Sequence, residues 1–593
     1  MKKFYTLGLL AFSFAANAQI QFDPTISITD YEPLTVVMPK SPLRTQVLFV
    51  GNADYVQVGV NDSTPSKQWH DFIGFTPDSS NGDLGWVTIN HERVEADPKI
   101  GDGGGMTSFK VALSGDSLKV VPQTLADGRS GQFFNVDFST TGETGMNCGG
   151  IVSPDGRIWT AEEWWRKDNA HIYDGGAGIT DTSDKVLTNT GISFADGEIV
   201  KAFENLNWMV EVDPKNAVAI RKQYNWGRQP FEGGAIASDN KTVYLGMDNT
   251  PGFFSKFVAD TPGDFTDGKL YVYRESLVNP WVETTITSMD DAKDYFATAV
   301  ASQATMFNRI EWFAIDRATE KVYFTATGRD NPGGRFAPYS AAGCEHSMHT
   351  MARAQAQGTH PDSSDYWDYY GRIIEYNPAT EEISVFLEGG PYLPVANPQS
   401  YPSTALSNAD GLTFMTVNGQ SYMVIQEDLN GTSYGRVPAG VSNRLCELYI
   451  YDMSDNTPTL ADLKKITAVP KGAEVTGARQ ISENILLVNA QHPSSDNPFP
   501  YNNSLTFAII GWAEAAVDIF EEDELAGDTF SIYPNPASRQ LNFNKTSDVA
   551  IYDLNGRLQE VYSQVDMIYV DHLSSGVYFV KDGEGNVQRL IVE

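Results

Sequence analysis

The stretch NCGGIVSPDGRIWTAEE, Asn147 to Glu163, opens on a cysteine, is divided by a Pro-Asp-Gly turn at Pro154 to Gly156, and closes on two adjacent glutamates, Glu162 and Glu163. An Asp-Gly step flanked by apolar residues is a strong β-hairpin signal. A turn near Asp155 folds the stretch back on itself and brings Cys148 and the glutamate pair to one edge of a sheet. A thiolate beside carboxylates is electrostatically costly unless a cation sits between them. Neighbouring strand residues face opposite ways, so Glu162 and Glu163 compete for a single place at that edge.

The pattern recurs four times downstream. Glu232 opens EGGAIASDNKTVYLGMDN, with a turn at Asp239-Asn240 and Asp248 near its end. Glu311 opens EWFAIDRATEKVYFTATGRD, Asp410 opens DGLTFMTVNGQSYMVIQED, and Glu474 opens EVTGARQISENILLVNAQH. Each places a potential metal ligand before a short apolar strand, then a turn, then a second apolar strand ending in polar groups. The hairpins begin at intervals of roughly 65 to 100 residues, the spacing of repeated sheet units. The reading is an all-β chain built as a β-propeller, whose inner strands aim one end of every blade at a common axis. Cys148, Glu232, Glu311, Asp410 and Glu474 then converge on one spot.

At these residues the chain resembles the PhoX family of alkaline phosphatases. The matching segments are NHE at Asn90 to Glu92, NCGGIVSPDG…EE, FEGGAIAS…MDN, RIEWFAID, NADGL and GAEVTG…VNAQHP, in the family's order from Asn90 to Pro493. The resemblance implies a six-bladed propeller that hydrolyses phosphate monoesters with bound iron, as Fe3+, and calcium. It implies that Cys148 is the thiolate ligand of iron and that Glu232, Glu311, Asp410 and Glu474 are carboxylates shared between iron and calcium. Glu162 and Asp248 look like further ligands, with Glu163 the alternative to Glu162. Arg309, two residues before Glu311, looks like the catalytic phosphate clamp; a guanidinium suits this because its donors form a rigid fork. Phe231 stands where the family often has histidine.

The bulk numbers narrow the alternatives. Lys+Arg 42 against Asp+Glu 76 leave a net charge of −34. Nucleic acid is not an expected partner, because a phosphate backbone demands a basic surface. Lys2-Lys3, the apolar run Leu7 to Ala16 and the small-residue site Ala16-Asn17-Ala18 read as a secretory signal peptide over residues 1–18. It lacks an arginine pair, which implies export of an unfolded chain and iron acquired outside. No later apolar run approaches the roughly 20 residues of a membrane helix. Cys148, Cys344 and Cys446 are too few for a disulfide framework; Cys344 and Cys446 can pair or remain buried thiols.

Elsewhere, residues 19–83 read as a turn-rich wrap, and GWVTINHE, Gly85 to Glu92, as a further inner strand with His91 a hydrogen-bonding residue. GDGGGM at Gly101 reads as a turn and Asp181 to Asp196 as surface acids. Asp290 to Met306 and His346 to Ala356 have helical spacing and read as insertions roofing the propeller mouth, joined there by the loop Gly328 to Phe336. The pair His346 and His349 lacks the glutamate of an HExxH site. From residue 526 the composition changes. YPNPA, YDLNG and SGVYFV, in that order, resemble the C-terminal sorting domain of the type IX secretion system. That domain is expected to be a small β-sandwich-like unit over 526–593, following a catalytic domain over 19–525. It implies the outer-membrane secretion machinery as a partner and a secreted or surface-attached monomer. Two alternatives to a phosphatase are a non-catalytic, calcium-stabilised propeller binding module and a propeller hydrolase of esters or lactones.

Overall fold

The computed structural model describes residues 42–592 apart from 94–95, 172–177, 285, 330–331, 391–405, 429–445, 456, 516–529, 534, 536, 554–556 and 584–585. The signal-peptide expectation over 1–18 lies outside the described residues. The described residues fall into two compact units, one up to residue 515 and one from residue 530.

The first unit is mostly β. Six of its strands, each at one edge of its own sheet and antiparallel to its neighbour, position the site: β1 (His70–Pro77), β2 (Asn147–Val152), β3 (Phe231–Ile236), β4 (Ile310–Ile315), β5 (Ala409–Val417) and β6 (Val475–Ser482). Each lies beside the next, β1 by β2 through to β6, and β6 lies beside β1. Such strands are covered on both faces, and β3 and β4 are buried at every residue. Glycine makes the packing possible at β2, where a Cβ on Gly149 would lie 1.5 Å from the carbonyl oxygen of Glu232. The turn expected at Asn418-Gly419 joins Val417 to Gln420, with both turn residues at positive φ as a two-residue hairpin of this type requires.

All six strands share one irregularity. Pairing with the second strand breaks between His70 and Ile73, Asn147 and Gly150, Phe231 and Gly234, Ile310 and Phe313, Ala409 and Leu412, and Thr476 and Arg479. The first residue inside each break is Asp71, Cys148, Glu232, Glu311, Asp410 and Gly477. A bulge re-aims a side chain that regular pleating would turn elsewhere. Of the five residues expected to converge, Cys148, Glu232, Glu311 and Asp410 therefore sit inside the strands, at the bulge, whereas Glu474 precedes β6.

Several expectations need correction. GWVTINHE is a second strand, paired with β1, and the inner strand of that sheet is His70–Pro77. Residues 42–83 are a structural part of the sheets: Arg44–Val50 pairs with Leu505–Ile510 as the outer strand of the β6 sheet. The helical stretches form α-helices Met289–Lys293, Tyr295–Ala301 and Met348–Ala356. A further helix, Gly333–Ala341, stands where a loop was expected. Tyr295 ties its helix to the β3 sheet through Ser255 Oγ, 2.6 Å away. His346 is engaged by Asp362 at 2.7 Å. Cys148, Cys344 and Cys446 are all buried thiols outside any disulfide. His91 bonds Thr107 Oγ1 at 2.8 Å.

The second unit is a single hydrogen-bonded sheet of five strands, Ile532–Tyr533, Gln540–Asp553, Leu558–Tyr569, Gly576–Asp582 and Val587–Val592. It has its own core, which includes Leu541, Ile551, Val580 and Leu590.

Candidate metal centre

The bulge residues of neighbouring inner strands meet. Cys148 Sγ lies 2.8 Å from Asp71 Oδ2 and 2.7 Å from Glu232 Oε1. A thiol has one proton to donate, so one of these contacts is repulsive unless a carboxyl is protonated or a cation intervenes. Around this trio the possible ligand atoms fall into overlapping groups, each within 4.8 Å: Asp71, Cys148 and Glu232; Glu92, Cys148 and Glu163; Glu163, Glu232 and Asp248; Glu232, Glu311 and Asp410. Glu232 belongs to three of them. A further group joins Asp428, Glu474 and His492.

The two glutamates of the opening hairpin part company. Glu163 reaches the cluster. Glu162 turns the other way and is held by Lys222 Nζ at 2.9 Å, Thr144 Oγ1 at 2.8 Å and the backbone N–H of Trp208 at 3.1 Å. The structure thus brings together Cys148, Glu163, Glu232, Asp248, Glu311 and Asp410. It sets Glu474 in the adjoining group and leaves Glu162 in a buried ion pair outside both.

Arg309 immediately precedes β4 at φ +61°, a left-handed conformation that few non-glycine residues adopt. Its backbone is pinned there by bonds to Asn249 O and from Thr327 N, both 3.0 Å. Its guanidinium forks onto Asp248, with Nε to Oδ1 at 2.9 Å and Nη2 to Oδ2 at 3.2 Å, and Nη2 lies 2.6 Å from Glu311. Nη1 is buried without an acceptor.

The electrostatics follow from burial. Desolvation pushes Asp71 up to about 6 and Glu92 up to about 8, the latter helped by the charge of Asp71. Burial, then neighbouring carboxylates, raises Glu163, Glu232, Asp410 and Glu474 well above the usual carboxylate range. Burial likewise raises Glu311, with Arg309 opposing it. The Cys148 thiol rises through burial and the charges of Asp71 and Glu232. So many acids cannot ionise together in a low dielectric without compensating positive charge. Glu163 Oε2 and Asp410 Oδ1 are buried with no hydrogen-bond donor. Orphaned acceptors among crowded acids, with one sulfur, are the chemistry of a cation site: hard oxygens suit calcium and the thiolate suits a transition metal.

Sequence reasoning missed Asp71, Glu92 and Gln491. Gln491 Nε2 stands 2.9 Å from both Asp71 Oδ2 and Glu92 Oε2 and joins them. The signal for Asp71 was present: HDFI at His70 follows the same apolar-flanked pattern as IEWF at Ile310.

The family profile described as Alkaline phosphatase PhoX matches residues 128–494. The profile described as Secretion system C-terminal sorting domain matches residues 531–593. No curated protein matches the chain. Among solved structures, the chain is similar to Pseudomonas fluorescens PhoX in complex with vanadate, a transition state analogue. Identity there is 16% and the TM-score 0.59, over 84% of this chain and 98% of that one, a likeness of fold. The PQQ-bound aldose sugar dehydrogenase of Streptomyces coelicolor (11% identity, TM-score 0.31, 80% and 99% covered) and a gluconolactonase of Xanthomonas campestris (7%, 0.32, 81% and 95%) are too distant to carry an argument.

Proposed function

The chain belongs to the alkaline phosphatase PhoX family of phosphomonoesterases, and on that premise we propose that its buried carboxylate–thiol cluster binds iron and calcium and, with Arg309, hydrolyses phosphate monoesters. We further infer that the six sheets close into a six-bladed propeller with this cluster on its axis. The cyclic succession of inner strands, β6 returning to β1, supports that reading.

Cys148, with Asp71 and Glu232, would hold iron. Glu163, Glu232, Asp248, Glu311 and Asp410 would hold calcium, with Glu474 and Asp428 a further cation beside them. Glu162 is not in this set, because Lys222 already neutralises it. Bound cations would neutralise the substrate dianion and stabilise the leaving oxygen. Arg309 binds and orients. Asp248 and Glu311 fix two of its nitrogens and leave Nη1 free to donate to a phosphate oxygen that develops charge as the ester bond breaks. That unsatisfied donor beside unsatisfied carboxylate oxygens is the observation that carries the reading. The vanadate in the P. fluorescens protein is consistent with a phosphoryl-transfer site on this fold.

The sorting domain marks the chain for secretion. We propose that residues 19–525 form the catalytic domain and 526–593 the exported signal. The mature protein, cut after residue 18, would act outside the cell or at its surface.

Purified protein is to be assayed with an aryl phosphate and calcium, before and after chelation, alongside elemental analysis. Iron and calcium present together, with activity lost on chelation, is the expected outcome. Arg309→Ala should retain metal and lose turnover by ~100-fold or more. Full metal loading with no hydrolysis of any phosphoester would sink the proposal and leave a non-catalytic module.

A further inference from the structure

The same strands enclose a second cavity that the cluster does not use. Its volume is about 350 Å3, and every inner strand supplies a wall residue: Ile73, Val152, Ala235, Ile315, Phe414 and Arg479. It begins beside the carboxylates, at Phe72 and Trp312, and extends away from them along the strands. From Glu311 to Ile315 on β4 the separation is roughly 13 Å at ~3.3 Å per residue.

Two cations line this cavity, Arg317 and Arg479. Among the described residues the guanidinium of Arg479 has no ion-pair partner, and its Nε is buried without an acceptor. Burial and the like charge of Arg317 lower Arg479 to about 10. Arg317 has Ser238 Oγ 3.3 Å from Nη1 and feels the charge of Glu320. Trp312, 4% exposed, lines the same cavity, and its indole Nε1 is also buried without an acceptor. Gln480, on the same wall, is spent on the backbone of Thr416, accepting from its N and donating to its O.

Each of these features is unfavourable in an unliganded pocket. Like charges repel, and a buried donor without an acceptor forfeits its hydration. Among the described residues no carboxylate supplies the missing acceptor for Arg479. A ligand that is all acceptor and negatively charged resolves the deficits together, and the guanidinium fork matches the oxygens of a tetrahedral anion. We propose that this cavity binds an inorganic oxyanion of the sulfate or phosphate type between Arg317 and Arg479, with Trp312 Nε1 as a further donor. The site is separate from the metal centre and does not rest on the phosphatase reading.

Sulfate titrations of the full metal-loaded chain test it, followed by calorimetry and by thermal unfolding against chloride at matched ionic strength. Sulfate should raise the melting temperature of the wild type and of Arg309→Ala alike, and leave Arg479→Gln at its sulfate-free value. Its affinity should fall about 10-fold or more in Arg479→Gln and again in Arg317→Gln. Without sulfate, Arg479→Gln should melt no lower than wild type, since it removes one of two like charges. If that variant fails to fold, Arg317→Gln supplies the same comparison. Equal sulfate stabilisation in wild type and both arginine variants overturns the proposal. So does a wild type that responds to sulfate no more than to chloride.

Discussion

A buried carboxylate needs positive charge beside it, and Glu162 and Glu163 obtain theirs differently. Glu162 has Lys222, and both side chains are almost wholly removed from solvent. Glu162→Gln strands a buried ammonium, which costs about 3–5 kcal/mol. The variant should melt well below wild type in chemical or thermal unfolding yet keep its metal content at low temperature. Glu163→Gln should do the reverse, relieving repulsion in the metal-free protein while metal and activity fall. Strand alternation made it legible that one of the pair faces the cluster. Which one was not legible, because the deciding residue, Lys222, lies on another strand far along the chain. The same crowding sets a pH dependence. Metal-free folded protein keeps protons on Asp71 and Glu92 to about pH 6 and about pH 8, whereas an unfolded chain releases them near 3.8 and 4.5. The folded state binds more protons across that window, so its stability falls as pH rises through it. Melting temperatures of chelated protein should decline from pH 5 to pH 8. Metal affinity should rise over the same range, since each ion displaces protons. A chelated protein that grows more stable towards pH 8 would refute this account.

At the scale of the strand, the shared bulge is the device that turns an acid or cysteine of an inner strand into the buried cluster. Its acid or cysteine was legible in four hairpins, at Cys148, Glu232, Glu311 and Asp410, because an apolar strand and a turn follow each. Asp71 escaped because its hairpin closes through a connection, residues 78–84, whose Asn81-Gly82 step lies in a stretch that read as turns rather than as strands. In the sixth strand the bulge holds Gly477 at φ +68°, and a Cβ there would meet Asp71 O at 2.3 Å. A ligand at that position is sterically excluded, so Glu474 reaches in from before the strand. The close approach at β2 and β3 gives a graded test. A Cβ at Gly149 would overlap Glu232 O, whereas one at Gly233 would stand 3.2 Å from Glu311 O. Gly149→Ala must push apart the two strands that carry Cys148 and Glu232, and a displacement of about 1 Å at a site costs ~100-fold in rate. Gly233→Ala should be tolerated with a small loss. Phosphatase assays and iron content on the two variants check the order, and equal behaviour would count against the role given to strand contact.

Across the molecule, the sheet that bears β6 is made from both ends of the first unit, Arg44–Val50 closing onto Leu505–Ile510. Deleting residues through Val50 bares a long apolar edge and should abolish cooperative unfolding and metal retention together, as read by calorimetry and elemental analysis. Removing residues 518–593 should leave kcat/KM unchanged, because that unit has a core of its own. Strand order has one more outcome. A polypeptide delivered end first holds Arg44–Val50 in waiting until residue 510 arrives, some 460 residues later. The proposed ion cage would be incomplete before then. On the proposed reading, iron or calcium encountered earlier in the journey would find only scattered acids, and the moment of metal capture would be timed by the chain's own connectivity.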